Sequence, residues 1–265
     1  RSLAANAGSA ITVCQDAPTV TLGGSPTATG RTSPYTYSWS GAGLSSTTAS
    51  NPTKATATAS TVTHTVTVSD AKGCTANSSQ VVTIRPRPTV APSASVTTIC
   101  NGASTTVSAN ATGGTAPLVY TWSPSGTGAS FSASPSSNTT YMLTVSDANS
   151  CSATGSVVVN VTGSSPLTAN AGNARTICSG ASTNLGGSPT AGGGSGGFTY
   201  SWTSSPAGFT STSANPTVSP TVTTTYTLTV TSSGCTATNT VVVTVNPTPS
   251  IAPSASATTI CNGQS

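Results

Sequence analysis

The sequence predicts an all-β chain, a string of two-sheet sandwiches, and three observations carry that prediction. Serine and threonine make up more than a third of the 265 residues, while charged residues account for only 4%. The apolar residues recur with a period of two, and no stretch has a helical period. The chain also repeats itself. Disordered chains combine low hydrophobicity with high net charge. Here mean hydropathy is +0.04 and net charge +4, so the chain is expected to fold.

Each element follows from the local pattern. Thr61 to Val68 alternates polar and mostly apolar residues, as does Thr223 to Val230, which marks strands with one buried and one wet face. Thr and Val are β-branched and suit a pleated, half-buried surface. An aromatic strand recurs as Tyr35 to Trp39, Tyr120 to Trp122 and Phe198 to Trp202, its rings at alternate positions and so on one face. A later strand ends in a turn, Ser69 to Gly73, Ser146 to Ser150 or Ser232 to Gly234, after which Cys74, Cys151 or Cys235 opens the last strand.

Repetition sets the organisation. Ala91 to Ser95, leading to Cys100, returns as Ala252 to Ser256, leading to Cys261; Ala5 to Gly8 and Cys14 return as Ala169 to Gly172 and Cys178. Two kinds of unit therefore alternate, and their boundaries fall at Arg85 to Pro88, Gly163 to Pro166 and Asn246 to Pro249. Short Pro-rich segments act as extended, semi-rigid spacers. The expected domains are 1–88 (type A), 89–163 (type B) and 164–249 (type A). Residues 250–265 open a further type B repeat, completed either by a continuation of the chain or by another chain.

Seven cysteines in so polar a chain imply an oxidising compartment. By spacing they pair inside units: Cys14 with Cys74, Cys100 with Cys151 and Cys178 with Cys235, at similar separations along the chain. On the chain-entropy account each such bridge stabilises its unit by roughly 4 kcal/mol. Cys261 has no partner in this scheme; its partner lies in a missing second half or on another chain, or its thiol is free. Arg1 reads as a mature or excised start, since no basic-then-apolar leader precedes it. No apolar run approaches the ~20 residues that span a bilayer, so no membrane insertion is expected in this segment.

Cys, Trp and Cys in units of this size, with about seven strands, give the pattern of an immunoglobulin-like sandwich. The fold expected is thus tandem immunoglobulin-like β-sandwich domains, one intradomain disulfide each, arranged as a rod. Tyr-Ser-Trp, Asn215 to Val218, Tyr226 to Val230 and Gly234 to Thr238 together resemble the tandem immunoglobulin-like and polycystic-kidney-disease-like repeats of giant Bacteroidota surface proteins. That group includes gliding-motility adhesins exported by type IX secretion. The Trp-Asp-Phe-Gly-Asp-Gly signature of true polycystic-kidney-disease domains is absent from the sequence, as is a carboxy-terminal sorting domain.

Composition also excludes chemistry. There are three Asp, no Glu and one His, whereas acid–base catalysis draws on His, carboxylates, Lys or Cys. His64 occupies an aromatic slot shared with Tyr141 and Tyr226 and reads as core. Asp16 stands where Gly102 and Gly180 stand and reads as a left-handed turn residue. Asp70 and Asp147 open hairpin turns and are expected to bond the local backbone. Gly192 to Gly197 lacks the Lys-Ser/Thr ending of a phosphate loop, and the cysteine spacings are not those of zinc sites. No catalytic residue, cofactor or metal site is expected.

Asn77, Asn110, Asn138 and Asn160 sit in Asn-X-Ser/Thr sequons and are candidate glycosylation acceptors. Scattered cations, with only Arg85 and Arg87 close together, give no nucleic-acid face. The function expected is a structural or adhesive segment of a long secreted tandem-repeat protein, forming an extracellular or cell-surface fibre, filament or adhesin. Its expected partners are further copies of itself, other surface proteins or surface glycans. The alternative is a spacer or carbohydrate-binding array of a larger secreted enzyme; it requires exposed tryptophans, whereas Trp39, Trp122 and Trp202 sit at inward positions.

Overall fold

A computed structural model describes residues 2–30 and 32–251; the expected fourth repeat, Cys261 included, lies outside the described residues apart from its first two positions. Among the described residues all regular structure is β, and no helix is long and apolar enough to cross a membrane. Each sequence repeat lays down the same sheet. In the first, Ile11–Cys14, Thr75–Arg85, Ser60–Ser69 and Thr36–Ser40 lie side by side in that order. In the second the order is Thr98–Cys100, Ser152–Thr162, Thr139–Ser146 and Val119–Ser123. In the third it is Arg175–Cys178, Cys235–Asn246, Thr224–Ser232 and Thr199–Ser205, with Thr210–Ser211 added at the edge.

In the first and third repeats the two long strands form an antiparallel hairpin, Ser69 opposite Thr75 and Ser232 opposite Cys235. The aromatic strand lies antiparallel on the hairpin's first arm, setting Trp39, Trp122 and Trp202 opposite Val66, Leu143 and Leu228. The first strand differs from all of these. It runs parallel to the last, ending with Cys14 opposite Arg85, Cys100 opposite Thr162 and Cys178 opposite Asn246. Shorter strands build smaller sheets: Ser93–Ala94, Thr105–Ser108 and Ser130–Ala133 form one of three strands, and Val20–Thr21 pairs with Thr53–Lys54.

Alternation explains what is buried. Along Thr224–Ser232 every second side chain is inside, which is what period two on a half-buried sheet requires. Trp202, Leu228, Val230, Val243 and Tyr226 gather with Leu185 in one core; Trp39, Val66, Val68, Val82 and Leu22 do so in another. The three Trp are 3%, 6% and 0% exposed. Each indole N–H donates to a loop carbonyl, of Ala49 at 2.9 Å, Gly128 at 3.1 Å and Ser213 at 3.0 Å, so burial leaves no indole donor unpaired.

By compactness the chain divides into two units. Among the described residues one takes in 2–97, 105–133 and 140–159; the other takes in 98–104, 134–139 and 160–251. The edge of the second sequence repeat that carries Cys100 is thus grouped with the third.

Trp202→Ala should cost about 3–5 kcal/mol of unfolding free energy, the range for truncating a buried aromatic. Val242→Ala, at an exposed position on the last strand of the same repeat, should stay within about 0.5 kcal/mol. Urea unfolding followed by circular dichroism checks both; equal losses would mean that the outer face is covered.

Candidate functional site

The cysteines are the distinctive chemistry of this chain, and the parallel first strand decides where they lie. Cys14, Cys100 and Cys178 each end a first strand, and each faces the last-strand residue eleven positions after Cys74, Cys151 and Cys235 respectively. At about 3.3 Å per strand residue, the two cysteines of one repeat are separated by about 36 Å. A disulfide needs Cα atoms within roughly 7 Å. The expected bridges Cys14–Cys74, Cys100–Cys151 and Cys178–Cys235 are therefore corrected: none of them forms.

Instead Cys14 bonds Cys151 and Cys100 bonds Cys235, with Cα–Cα distances of 5.5 and 5.8 Å. The first cysteine of one sequence repeat takes the second cysteine of the next, in both instances. The expectation of one intradomain disulfide per domain gives way to bridges between successive repeats. Each bridge falls within one compact unit, Cys14–Cys151 in the first and Cys100–Cys235 in the second. Cys151 and Cys235 are buried, at 1% and 4% exposure. Cys74 is partly buried, and Cys178 is an exposed free thiol.

The turn before the second cysteine is built from the residues that the sequence singled out. Asp70 Oδ1 accepts from the N–H groups of Lys72 and Cys74, both at 2.9 Å. Asp147 Oδ1 accepts from Asn149 at 2.9 Å and Cys151 at 2.8 Å. Its Oδ2 also accepts from Thr115 N–H at 2.9 Å, a contact that the sequence did not announce. Burial works to raise the Asp147 pKa, but these three N–H donors and the nearby Arg85 outweigh it and hold the carboxyl below its usual range. In the third repeat Ser232 takes this place, donating to Gly196 carbonyl at 2.6 Å and accepting from Ser195 N–H at 3.3 Å.

The first cysteine is followed by a left-handed residue: φ is 60° at Asp16, 88° at Gly102 and 78° at Gly180. Asp tolerates that region better than most side chains, as expected from its exchange with Gly. Its carboxylate meets Arg87 Nε at 3.3 Å, which places the Pro-rich segment after the first repeat against the turn beside Cys14. Both groups are nearly half exposed, so this pair contributes at most about 1 kcal/mol.

His64, Tyr141 and Tyr226 are buried as one slot. Neither His64 ring nitrogen has a hydrogen-bond partner, and Lys54, itself buried, donates from Nζ to Ala42 carbonyl at 3.0 Å. Burial first, then the Lys54 charge, lowers the His64 pKa. Among the described residues no three His, Cys, Asp or Glu side chains stand close enough to share a metal ion. The sequon residues Asn77, Asn110, Asn138 and Asn160 are all exposed. Asn110 donates its amide to Ala91 carbonyl at 2.9 Å and to Ser93 Oγ at 3.0 Å.

No protein-family model matches the chain, and no curated protein matches it in sequence. Solved structures resemble it in fold. The N-terminal eight immunoglobulin domains of Down Syndrome Cell Adhesion Molecule superpose at a TM-score of 0.54 and 12% identity over 92% of this chain and 36% of that one. An I-band fragment of titin gives 0.43 and 14% over 90% and 96%, and Drosophila OTK extracellular domains 0.32 and 11% over 91% and 95%. The chain spans about a third of the adhesion-molecule fragment, and a likeness at so low an identity concerns the fold alone. The fold is all-β and tandem immunoglobulin-like.

Two measurements check this chemistry. Peptide mapping without reduction should recover the 14–151 and 100–235 linkages and no 14–74 linkage. Because folding lowers the His64 pKa, the unfolded chain takes up the proton first on acidification. Stability from this group should be full above about pH 6.5 and decline as pH falls below it toward the lowered folded value. In chemical denaturation between pH 7.5 and 5, His64→Tyr, the residue type at this slot in the other repeats, should flatten that decline.

Proposed function

We propose that this chain is a structural and adhesive segment of a long secreted protein, a tension-carrying stretch of a cell-surface fibre, filament or adhesin. One observation carries the reading: the disulfides join one repeat to the next. A bridge inside a domain protects that domain alone, whereas these bridges tie successive repeats into one covalent ladder. Along the covalent network the shortest path from Cys14 to Cys235 uses both bridges and only residues 100–151. Tension applied at the ends bypasses residues 15–99 and 152–234. The pull then reaches the first and third sheets only through the strands that lie outside those loops, Ile11–Cys14 and Cys235–Asn246.

The surface fits such a role. With ten charged side chains in 265 residues, neighbouring copies repel little, and strand edges with few charges remain open to pairing. Asn77 and Asn160, exposed on the last strands, are the leading glycan acceptors under this reading. The resemblance to giant Bacteroidota surface proteins supports a gliding-type adhesin and export by type IX secretion. The alternative, a glycan-gripping array, needs exposed tryptophans to stack on sugars, and all three Trp are buried and hydrogen-bonded.

Negative-stain microscopy of material sheared from the producing cells, labelled with an antibody to one repeat, tests the proposal. Long labelled threads are expected; label confined to compact particles or to the cell interior would overturn it. Single-molecule pulling gives a further prediction. The Cys14-to-Cys235 segment should extend to about 180 Å when oxidised and about 770 Å after reduction, at ~3.5 Å per residue of covalent path.

A further inference from the structure

We infer that Cys178 is a covalent docking site for a following repeat, and that its ligand is the cysteine that opens that repeat's last strand. Three positions share one geometry. Cys14, Cys100 and Cys178 each end a first strand that runs parallel to a last strand. The residue after each donates its backbone N–H to the carbonyl of the last-strand residue opposite: Gln15 to Arg85 at 2.8 Å, Asn101 to Thr162 at 2.9 Å, Ser179 to Asn246 at 3.0 Å. The turn then continues with a left-handed residue at Asp16, Gly102 and Gly180.

A second, independent observation identifies the ligand. Both equivalents of Cys178 are occupied, and by the same kind of partner: Cys151 on Cys14 and Cys235 on Cys100. In each case that partner follows a hairpin turn and opens a last strand. Cys178 is the exposed, free member of the series. The segment after Pro249 repeats the opening of the type B unit, Ala252 to Ser256 leading to Ile260-Cys261-Asn262-Gly263. The unit that follows Cys178 in this order is of the same type as the one that supplies Cys151 to Cys14.

Formation of the bond balances as an ordinary dithiol oxidation. Cys178 Sγ–H and the incoming Sγ–H lose two protons and two electrons to a disulfide-donating oxidant, which leaves as its dithiol, and one Sγ–Sγ bond forms. The inference rests on strand register and on the two observed bridges, and stands apart from the surface-fibre reading.

The test is made on two samples. In the isolated chain, a maleimide added without denaturant should label Cys178 to near one equivalent and leave Cys14, Cys100, Cys151 and Cys235 unlabelled. In the protein taken from its producing cells, nearly all of Cys178 should resist labelling until a reductant is added. Peptic mapping without reduction should then find Cys178 joined to a cysteine at the start of a last strand other than Cys235. A non-reducing gel separates the sources: a ladder that collapses on reduction means the following repeat belongs to another copy, and a single band means it belongs to the same polypeptide. Quantitative labelling of Cys178 in the unreduced cellular protein, or a Cys178–Cys235 bond, overturns the inference. Cys178→Ser should leave the 14–151 and 100–235 linkages intact while abolishing any ladder.

Discussion

The parallel seating of each first strand against a last strand is the constraint on which the rest of this molecule depends. A strand that entered antiparallel would bring its terminal cysteine to the hairpin end of the sheet, beside the cysteine that opens the last strand. Entering parallel, it carries its cysteine to the other end of the last strand, eleven residues away. From there the second cysteine of the same repeat is out of reach, and the cysteine that does approach belongs to the next repeat. A choice of strand direction thus becomes a choice between sealed beads and a linked chain. The sheet is not weakened by it, since the long hairpin and the aromatic strand carry most of the ladder.

The same arrangement compensates for what the composition withholds. Repeats of this size have small cores, and almost no charged side chains are present to form ion pairs. Stability is drawn from three other sources: a Trp–aliphatic stack in each sheet, backbone N–H groups satisfied by Asp70, Asp147 and Ser232, and the bridges. The loops closed by the bridges span 137 and 135 residues. On the chain-entropy account each restricts the unfolded chain by about 5 kcal/mol, somewhat more than a bridge inside one repeat would. The loops also overlap between Cys100 and Cys151, so unfolding of one repeat is felt by its neighbour through covalent bonds.

Much of the fold was legible because it rests on local pattern. Period two placed the long strands, and the recurring slot occupied by His64, Tyr141 and Tyr226 marked the inward face. Asp16 exchanging with Gly announced a left-handed turn, and Asp70 and Asp147 announced capped hairpins. The cysteine pairing was not legible, because the separations within repeats look self-consistent and say nothing of strand direction. The length of the last strand becomes informative only once the first strand is known to run parallel to it, because Cys14 then lies opposite Arg85, eleven residues beyond Cys74. The reach of Asp147 Oδ2 to Thr115 was also hidden, since a contact between residues far apart in sequence leaves no periodic trace.

Bridges between repeats also change what the Pro-rich junctions must do. With sealed domains, Arg85 to Pro88 alone would transmit every bend and pull from the first repeat to the second. With Cys14 bonded to Cys151 the junction has a second, covalent attachment, and Arg87 on Asp16 lies alongside it. Two separated attachments resist rotation where one permits it.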